Sequence, residues 1–287
     1  MSLTAETVGH TYQHEGLLVC HAQPAPRKPG AARRRPPLLL VHGAGHGAWC
    51  WENWLRTLPR HGWEGYALSL RNHPGSRTVE REDYLSRLRV DDYVDDVATV
   101  ARHIGRPVVL VGHSMGGLIA QRYAARPPAK AGIARSLFRE APRPVAALVL
   151  LASAGPGALG PLRGEALPLD SGYLPDADTA RARYFYRAPQ AVVDAAVPRL
   201  VEESPSVMND YSLAPGLAVD PTAIGCPVLS VTAEYDGTSV PRDGRLAAYY
   251  GGEHMPCRDI GHDLMLDEGW EPVLDQILAW VRRAVLA

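Results

Sequence analysis

The sequence predicts an α/β fold in which a mostly parallel sheet is covered by helices on both faces. Apolar strand segments alternate with amphipathic helical segments along the chain, the pattern typical of such sheets. The chain has 287 residues, 46% of them hydrophobic, which is enough to bury a large core in one domain and leaves room for an insertion. The third observation is an apolar strand that runs through a Gly-x-Ser-x-Gly motif, residues 112–116, straight into a helix.

Apolar runs and the residues that interrupt them define the elements of the first half of the chain. Residues 16–21 are predicted to form an opening antiparallel strand, and the basic, proline-rich residues 23–37 a solvated loop. The other elements before the serine motif are a strand over 38–41, a helix over about 51–60, a strand over 66–70 and a helix over 90–104. Apolar residues recur on the last of these helices near the 3.6-residue period, and Gly105 ends it.

The alternation resumes directly after the serine motif. A helix over 115–125 is followed by an apolar strand over 145–151. We interpret the connection between them, residues 129–143, as an extra surface loop or helix. The later core elements are strands over 227–232 and 254–257 and a final amphipathic helix over 270–285.

Residues 155–220 lack the alternation of strands and helices. We predict that they form a helical cap inserted into the core. Its candidate helices cover residues 179–186, 190–197 and 204–211. The predicted division is therefore an α/β core over residues 1–154 and 221–287 with a cap over 155–220.

The bulk composition restricts the classes of partner. A formal net charge of -1 gives no electrostatic footprint for nucleic acid or for an anionic membrane surface. The first residues lack a cationic start followed by an apolar run, and the longest nearly apolar run, over 145–154, is half the length that crosses a bilayer. We therefore expect a cytoplasmic protein that acts on a small molecule, with neither nucleic acid nor a membrane as its partner.

The four cysteines lack the C-x-x-C spacing of metal sites and redox motifs. They are Cys20, Cys50, Cys226 and Cys257. We expect buried free thiols rather than disulfides or a metal site. No H-E-x-x-H motif, phosphate loop or calcium loop occurs, so the sequence implies no cofactor and no metal.

The serine of the Gly-His-Ser-Met-Gly motif is the candidate nucleophile. On a sharp strand-to-helix turn of this kind, close packing tolerates almost nothing larger than glycine at Gly112 and Gly116, and the hydroxyl of Ser114 is exposed at the end of the sheet. A serine hydroxyl is almost never ionised near neutral pH, so Ser114 needs a base, and imidazole suits that task. We choose His262, because Gly261 precedes it and its loop follows the last predicted strand.

Four segments in this chain order resemble the α/β-hydrolase fold superfamily. They are the strand and loop at His42-Gly43, the Gly-His-Ser-Met-Gly motif, the strand ending at Asp236 and the loop with Gly261-His262. The resemblance covers roughly residues 36 to 285 and is weakest in the middle. It implies an eight-stranded, mostly parallel sheet with the cap inserted after the sixth strand. It also implies a serine hydrolase that uses Ser114, Asp236 and His262 as its catalytic triad.

The resemblance also assigns groups that support the serine and the histidine. The imidazolium formed during attack needs an oriented carboxylate. Asp236 matches the family position, and Glu234, two residues earlier, remains an alternative because strand ends are defined only to within a couple of residues. By position, the backbone amides of Ala44 and Met115 would form the oxyanion hole.

Aromatic residues cluster in the predicted cap, although the chain has only 7% aromatics. Tyr184, Tyr186 and Tyr211 in the cap, and His113 beside the serine, are candidates to line a substrate pocket. Cap helices also need an apolar face that docks on the core, so packing is an equally good interpretation of these side chains.

Residues 43–48 also satisfy the loose G-x-G-x-x-A pattern of dinucleotide sites. The pattern follows an interior strand rather than opening a chain-initial βαβ unit, and Trp49 and Trp51 would crowd a helix start meant for phosphate. The hydrolase interpretation accounts for the same glycines and is preferred.

Three classes of function remain open. The first is hydrolysis of an ester, thioester or similar acyl bond of a small molecule through an acyl-enzyme. The second uses the same triad for a non-hydrolytic tailoring step of natural-product biosynthesis, either a lyase-type elimination of an acyloxy group or a cyclisation. The third is a non-catalytic small-molecule receptor, against which the intact serine, acid and histidine argue.

Overall fold

A central sheet of eight strands organises the protein. The computed structural model describes residues 9–24, 35–127 and 145–286. The strands are β1 (Gly9–His14), β2 (Leu17–Ala22), β3 (Leu38–Val41), β4 (Gly65–Leu68), β5 (Val108–His113), β6 (Val145–Leu151), β7 (Val228–Tyr235) and β8 (Glu253–Gly261). Their spatial order is β1-β2-β4-β3-β5-β6-β7-β8. Only β2 pairs antiparallel with its neighbours, β1 and β4, so the predicted mostly parallel eight-stranded sheet is confirmed.

Nine α-helices occur in the described residues. They are α1 (Glu52–Thr57), α2 (Arg81–Ser86), α3 (Val90–Ile104), α4 (Met115–Ala125), α5 (Ala177–Tyr184), α6 (Gln190–Ala196), α7 (Pro205–Ser212), α8 (Arg245–Tyr249) and α9 (Trp270–Leu286). Among these residues, no helix has both the length and the apolar character needed to span a membrane.

Helices cover both faces of the sheet, whose central strands are buried along their whole length. Every residue of β3 and β5 is buried, as expected for strands covered on both sides. Successive side chains point to opposite faces. Leu38 and Leu40 pack with residues of α1 and α9, whereas Leu39 and Val41 pack with residues of α3 and α4.

The structure differs from the sequence predictions where the pattern is short or polar. It adds an edge strand, β1, of which no residue is buried, so that no apolar alternation marks it. Helices α2 and α8 have six and five residues, too few to show a helical period. Strand β8 extends past Cys257 to Gly261 through exposed charged residues. The predicted loop over 129–143 lies outside the described residues, as does most of the loop over 23–37.

The chain leaves the sheet between β6 and β7. Residues 155–220, which we call the cap segment, contain α5, α6 and α7 at nearly the positions expected from the sequence. Asp176 accepts a hydrogen bond from the amide of Thr179 at the start of α5, and Ser204 does the same for Val207 at the start of α7. Such caps satisfy amides that the first helical turn leaves unpaired.

All four cysteines are free thiols. Cys50 and Cys257 are buried, whereas Cys20 and Cys226 are only partly buried. The expectation of free thiols is therefore confirmed, and the expectation of full burial holds for two of the four.

Candidate active site

Ser114 lies on the tight turn between β5 and α4. Its backbone has φ 53° and ψ -121°, a combination that residues other than glycine rarely adopt. The neighbouring backbone is packed so closely that a Cβ at Gly112 would overlap the carbonyl oxygen of Gly116, and a Cβ at Gly116 would overlap that of His42. The glycines on either side of Ser114 are therefore required by the close approach of three chain segments.

His262 follows the end of β8, and its imidazole contacts Asp236, which follows the end of β7. The Nδ1–H of His262 donates to Oδ2 of Asp236 over 2.7 Å. The other oxygen of this carboxylate accepts from the amide of Thr238 at 2.8 Å and from its hydroxyl at 2.6 Å. The bond between His262 and Asp236 is buried. Asp236 therefore holds the imidazole in one orientation and in the tautomer that carries its proton on Nδ1, and Nε2 takes no part in this bond.

The two buried groups shift each other's pKa. Burial alone would lower the pKa of His262, but the charge and hydrogen bond of Asp236 outweigh burial and raise it above the usual value. Burial would likewise raise the pKa of Asp236, but His262 and Thr238 outweigh it and lower that pKa. Asp236 is therefore ionised near neutral pH.

Glu234, the alternative acid, lies elsewhere. Its side chain is on the exposed end of β7, where Oε2 accepts from the backbone amide of Asp259 at 3.0 Å. The structure brings Asp236, and not Glu234, to His262.

A cavity of about 770 Å³, part of it open to solvent, lies between the sheet end and the cap segment. Ser114 and His262 both line it, so the hydroxyl and the imidazole face the same space. Its walls are completed by residues of the cap segment and of the loop after β7: Leu162, Arg163, Tyr173, Arg183, Tyr184, Met208, Tyr211, Ser212, Gly237, Thr238, Ser239 and Val240.

Of the four residues that the sequence nominated for a pocket, three line this cavity. They are His113, Tyr184 and Tyr211. Tyr186 does not: its side chain is 44% exposed and stacks on Tyr235 with ring centroids 3.6 Å apart. Helix α5 ends at Tyr184, two residues earlier than expected, so Tyr186 lies beyond the helix and packs on the surface.

Two backbone amides at the cavity are candidates to bind a developing negative charge. Ala44 lines the cavity, and Met115 is the first residue of α4. Within the described residues, neither amide donates a hydrogen bond to another protein group. Met115 also belongs to the first helical turn, where amides are unpaired and the helix dipole favours an anion.

A buried cluster joins two histidines of the cavity lining, His46 and His113, to the carboxylate of Asp263 behind them. Nε2 of His46 lies 3.1 Å from Oδ2 of Asp263, and Nε2 of His113 donates to the carbonyl of His262 over 3.0 Å. Burial and the neighbouring His262 lower the pKa of His113 to about 3, so this ring is neutral. It fixes the backbone of His262, the residue whose imidazole is bonded to Asp236.

Ligand atoms of His113, His262 and Asp263 lie within 4.8 Å of one another. We assign no metal to them, because Nε2 of His113 and Nδ1 of His262 are engaged with protein acceptors. A Cβ added at Gly43 would come within 2.9 Å of the remaining Nδ1 of His113, so that nitrogen is packed against backbone.

Glu203 of the cap segment was not foreseen from the sequence, although it is fully buried and reaches the loop that carries Ala44. One of its oxygens, Oε2, accepts from the amide of Gly45 at 3.1 Å and lies 3.0 Å from Nε2 of His73. The other accepts from the hydroxyl of Tyr93 at 2.7 Å. Burial would raise the pKa of Glu203, but the charge of His73 and these bonds hold it below its usual value. No local pattern in the sequence marks a buried acid of this kind.

The fold and this site define an α/β-hydrolase. The chain belongs to the alpha/beta hydrolase family, whose family model matches residues 38–276. The resemblance inferred from the four sequence segments is confirmed.

Relatives of the chain include esterases. Protein phosphatase methylesterase 1 of Rattus norvegicus is 36% identical over 91 residues, which are 31% of this chain and 24% of the relative. The probable esterase PIR7A of Oryza sativa subsp. indica is 36% identical over 113 residues, which are 38% of this chain and 40% of the relative. The chain thus matches less than half of the length of either protein. A crystal structure of the methylesterase MES16 from Arabidopsis shares the fold, with a TM-score of 0.66 at 20% identity over 86% of this chain and 99% of that one.

Proposed function

We propose that the protein is a serine esterase that cleaves an ester or similar acyl bond of a small molecule through an acyl-enzyme at Ser114. The observation that carries the proposal is the 2.7 Å bond from Nδ1 of His262 to Asp236, at a cavity that Ser114 and His262 line together. The esterases among the relatives support the same class of reaction.

In the proposed first half-reaction, the Ser114 oxygen attacks the substrate carbonyl as Nε2 of His262 takes its proton. Asp236 stabilises the imidazolium that forms and keeps the ring oriented. The tetrahedral intermediate then collapses, the bond from carbonyl carbon to the leaving oxygen breaks, and His262 gives its proton to the departing alcohol. In the second half, His262 activates a water molecule that releases the acid and restores Ser114.

The amides of Ala44 and Met115 would stabilise the negative oxygen of both intermediates. They are backbone groups, so the site needs no particular side chain at these positions. Removing one oxyanion donor in such sites typically costs about 2.7 to 4 kcal/mol of transition-state stabilisation. The cap segment would act as the lid that selects the acyl and alcohol groups.

Covalent labelling tests the role of Ser114. A fluorophosphonate probe should add to Ser114 of the wild-type protein, and Ser114→Ala should lose both labelling and hydrolysis of short 4-nitrophenyl esters. Ser171→Ala, which changes an exposed serine of the cap segment, should keep both. His262→Ala should lose hydrolysis and most of the labelling, because the hydroxyl then lacks its base.

Two results would overturn the proposal. Turnover that persists in Ser114→Ala but is lost in His262→Ala would indicate an elimination in which the imidazole alone acts. Tight binding of small esters with neither labelling nor turnover in the wild-type protein would indicate a receptor.

A further inference from the structure

Two arginines of the cap segment reach the cavity above Ser114. Arg183 lies in the last turn of α5, and Arg163 lies in the loop after β6. Tyr173 joins them: its hydroxyl accepts from Arg183 over 2.9 Å, and the guanidinium of Arg163 lies over its ring, 5.6 Å from the centroid. The two positive charges are thus held on one side of the cavity.

No acid of the described residues balances these charges within the cavity. The lining contains neither aspartate nor glutamate, and no carboxylate of the described chain lies within ion-pair distance of Arg163 or Arg183. Arg181, on the same helix, differs, because it pairs with Asp194 at 3.4 Å. Arg163 and Arg183, which line the cavity, are therefore the arginines without an acidic partner.

The acids nearest to the cavity lie behind its lining and already have partners. Asp236 binds His262 and Thr238, and Asp263 binds His46. Glu203 binds His73, Tyr93 and the amide of a neighbouring loop. Oδ1 of Asp263 has no hydrogen-bond partner among the described residues, but this side chain is fully buried and does not line the cavity. None of the three acids pairs with Arg163 or Arg183, so the two guanidinium groups remain available to a ligand.

The geometry points to an ester substrate that carries a carboxylate, with Arg163 and Arg183 binding the anion while the ester carbonyl lies at Ser114. A guanidinium offers paired N–H donors in the geometry that a carboxylate accepts. Leu162, Met208 and Val240 add apolar surface to the lining of the same cavity, which suits a short aliphatic spacer. This assignment of a substrate class rests on the proposed esterase function.

Matched substrates test the anion site. The 4-nitrophenyl half-ester of adipic acid and 4-nitrophenyl hexanoate share the ester and differ chiefly in the terminal carboxylate. After subtraction of spontaneous hydrolysis, wild-type protein should prefer the half-ester in kcat/KM. Arg183→Gln and Arg163→Gln should each raise KM for the half-ester about tenfold, the size expected for a charged hydrogen bond, and leave KM for the hexanoate within about twofold.

Arg181→Gln is the control, because it removes a positive charge from the same helix outside the cavity. It should change neither substrate's KM. The wild-type preference should also weaken as salt rises, since Arg183 is exposed and its charge is screened. A purely structural role for Tyr173 and its arginines would change stability but not the difference between the two substrates.

A binding measurement keeps this inference separate from the proposed function. Calorimetry with the monomethyl ester of adipic acid and Ser114→Ala protein should give a Kd that Arg183→Gln raises about tenfold. Equal KM values for both esters, with a Kd unaffected by Arg183→Gln, would overturn the anion site and leave the esterase proposal intact. A failure of Ser114 labelling would overturn the esterase proposal, and the Kd comparison would still decide the anion site.

Discussion

At the scale of single residues, the imidazole of His262 is subject to two opposing influences. Burial favours its neutral form, and the carboxylate of Asp236 favours its charged form and prevails. The proposed base must be neutral to accept the Ser114 proton. We therefore expect kcat/KM to fall as the pH drops through a pKa above the usual histidine value near 6.5.

Asp236→Asn should move this acid limb to lower pH. The variant removes the charge that raises the pKa of His262, while the burial that lowers it remains. It should also reduce kcat by about 10⁴-fold, as loss of the triad carboxylate does in serine proteases. The pH dependence of kcat/KM with an activated 4-nitrophenyl ester measures both effects.

Glu234→Gln is the matched control for this prediction. It neutralises an acid that is exposed at the end of β7, two residues before Asp236, and that accepts from the amide of Asp259 through its carboxylate. It should leave the acid limb and kcat unchanged. An acid limb that stays in place in Asp236→Asn, or moves in Glu234→Gln, would refute the assignment of Asp236.

The sequence predicted those site residues whose neighbours in the chain form a recognisable local pattern. Ser114 lies between two required glycines, and Asp236 and His262 directly follow strands β7 and β8. Arg163, Arg183 and Glu203 have no such context, because their positions depend on how the cap segment folds over the sheet. The contact of Thr238 with Asp236 follows a local pattern, because an aspartate favours a turn in which its carboxylate accepts from the backbone amide two residues later.

At the scale of elements, long apolar patterns predicted bounds well and short polar ones did not. Helices α3 and α4 and strand β6 have the bounds that the sequence predicted, because each shows a clear period or an unbroken apolar run. Gly105 ends α3 with φ 69°, as its position indicated. Edge strand β1 and helix α2 bury too little apolar surface to leave a pattern, and only the tertiary structure defines them.

The cap segment and the loop after β3 are joined through both polar groups of Gly45. Its amide donates to Glu203, and its carbonyl accepts from the amide of Val201 over 2.9 Å. Ala44, whose amide is a proposed oxyanion donor, is the adjacent residue. The position of that donor therefore depends on a buried acid of the cap segment.

Glu203→Gln should lower both stability and kcat. The variant leaves buried His73 without its anion, and breaking such a pair costs about 3 kcal/mol of unfolding free energy. It also weakens the bond that holds Gly45, so kcat should fall at pH values where the protein remains folded. Urea unfolding and steady-state kinetics on the same preparation measure the two effects.

Glu202→Gln is the control at the neighbouring position. Glu202 is partly exposed and pairs with Arg81 at the surface over 2.6 Å, so its loss should cost less than about 1 kcal/mol and leave kcat unchanged. Equal effects of the two variants would show that Glu203 does not position the loop.

At the scale of the whole molecule, two buried histidines make the fold sensitive to acid. Nε2 of His42 accepts from the amide of Leu70 over 3.0 Å, so its proton is on Nδ1, which donates to the carbonyl of Gly43. A second proton would break the bond to Leu70 and bury a charge. Burial, together with neighbouring His73, lowers the pKa of His42 well below its usual value, and burial lowers that of His113 to about 3.

Other buried ionisable groups contribute to the stability of the fold in different pH ranges. The pKa values of His73 and His262 are raised, so the stability that they contribute is fully present below about pH 6.5 and is lost as the pH rises above it. The pKa values of Asp236, Asp263 and Glu203 are lowered, so their contribution is present above about pH 4 and is lost in stronger acid. Between pH 5 and 6, the change of unfolding free energy with pH is therefore set mainly by the neutral His42 and His113.

The free energy of unfolding should fall as the pH drops from 6 to 5, because the unfolded chain binds a proton on His42 and on His113 and the folded protein does not. Each histidine contributes at most about 1.4 kcal/mol per pH unit. His42→Gln keeps an acceptor for the Leu70 amide but removes one group that binds a proton on unfolding. The slope of unfolding free energy against pH should therefore correspond to nearly one proton fewer. Urea titrations at several pH values measure the slope. A slope that His42→Gln leaves unchanged would mean that His42 is protonated in the folded protein, contrary to its bond with Leu70.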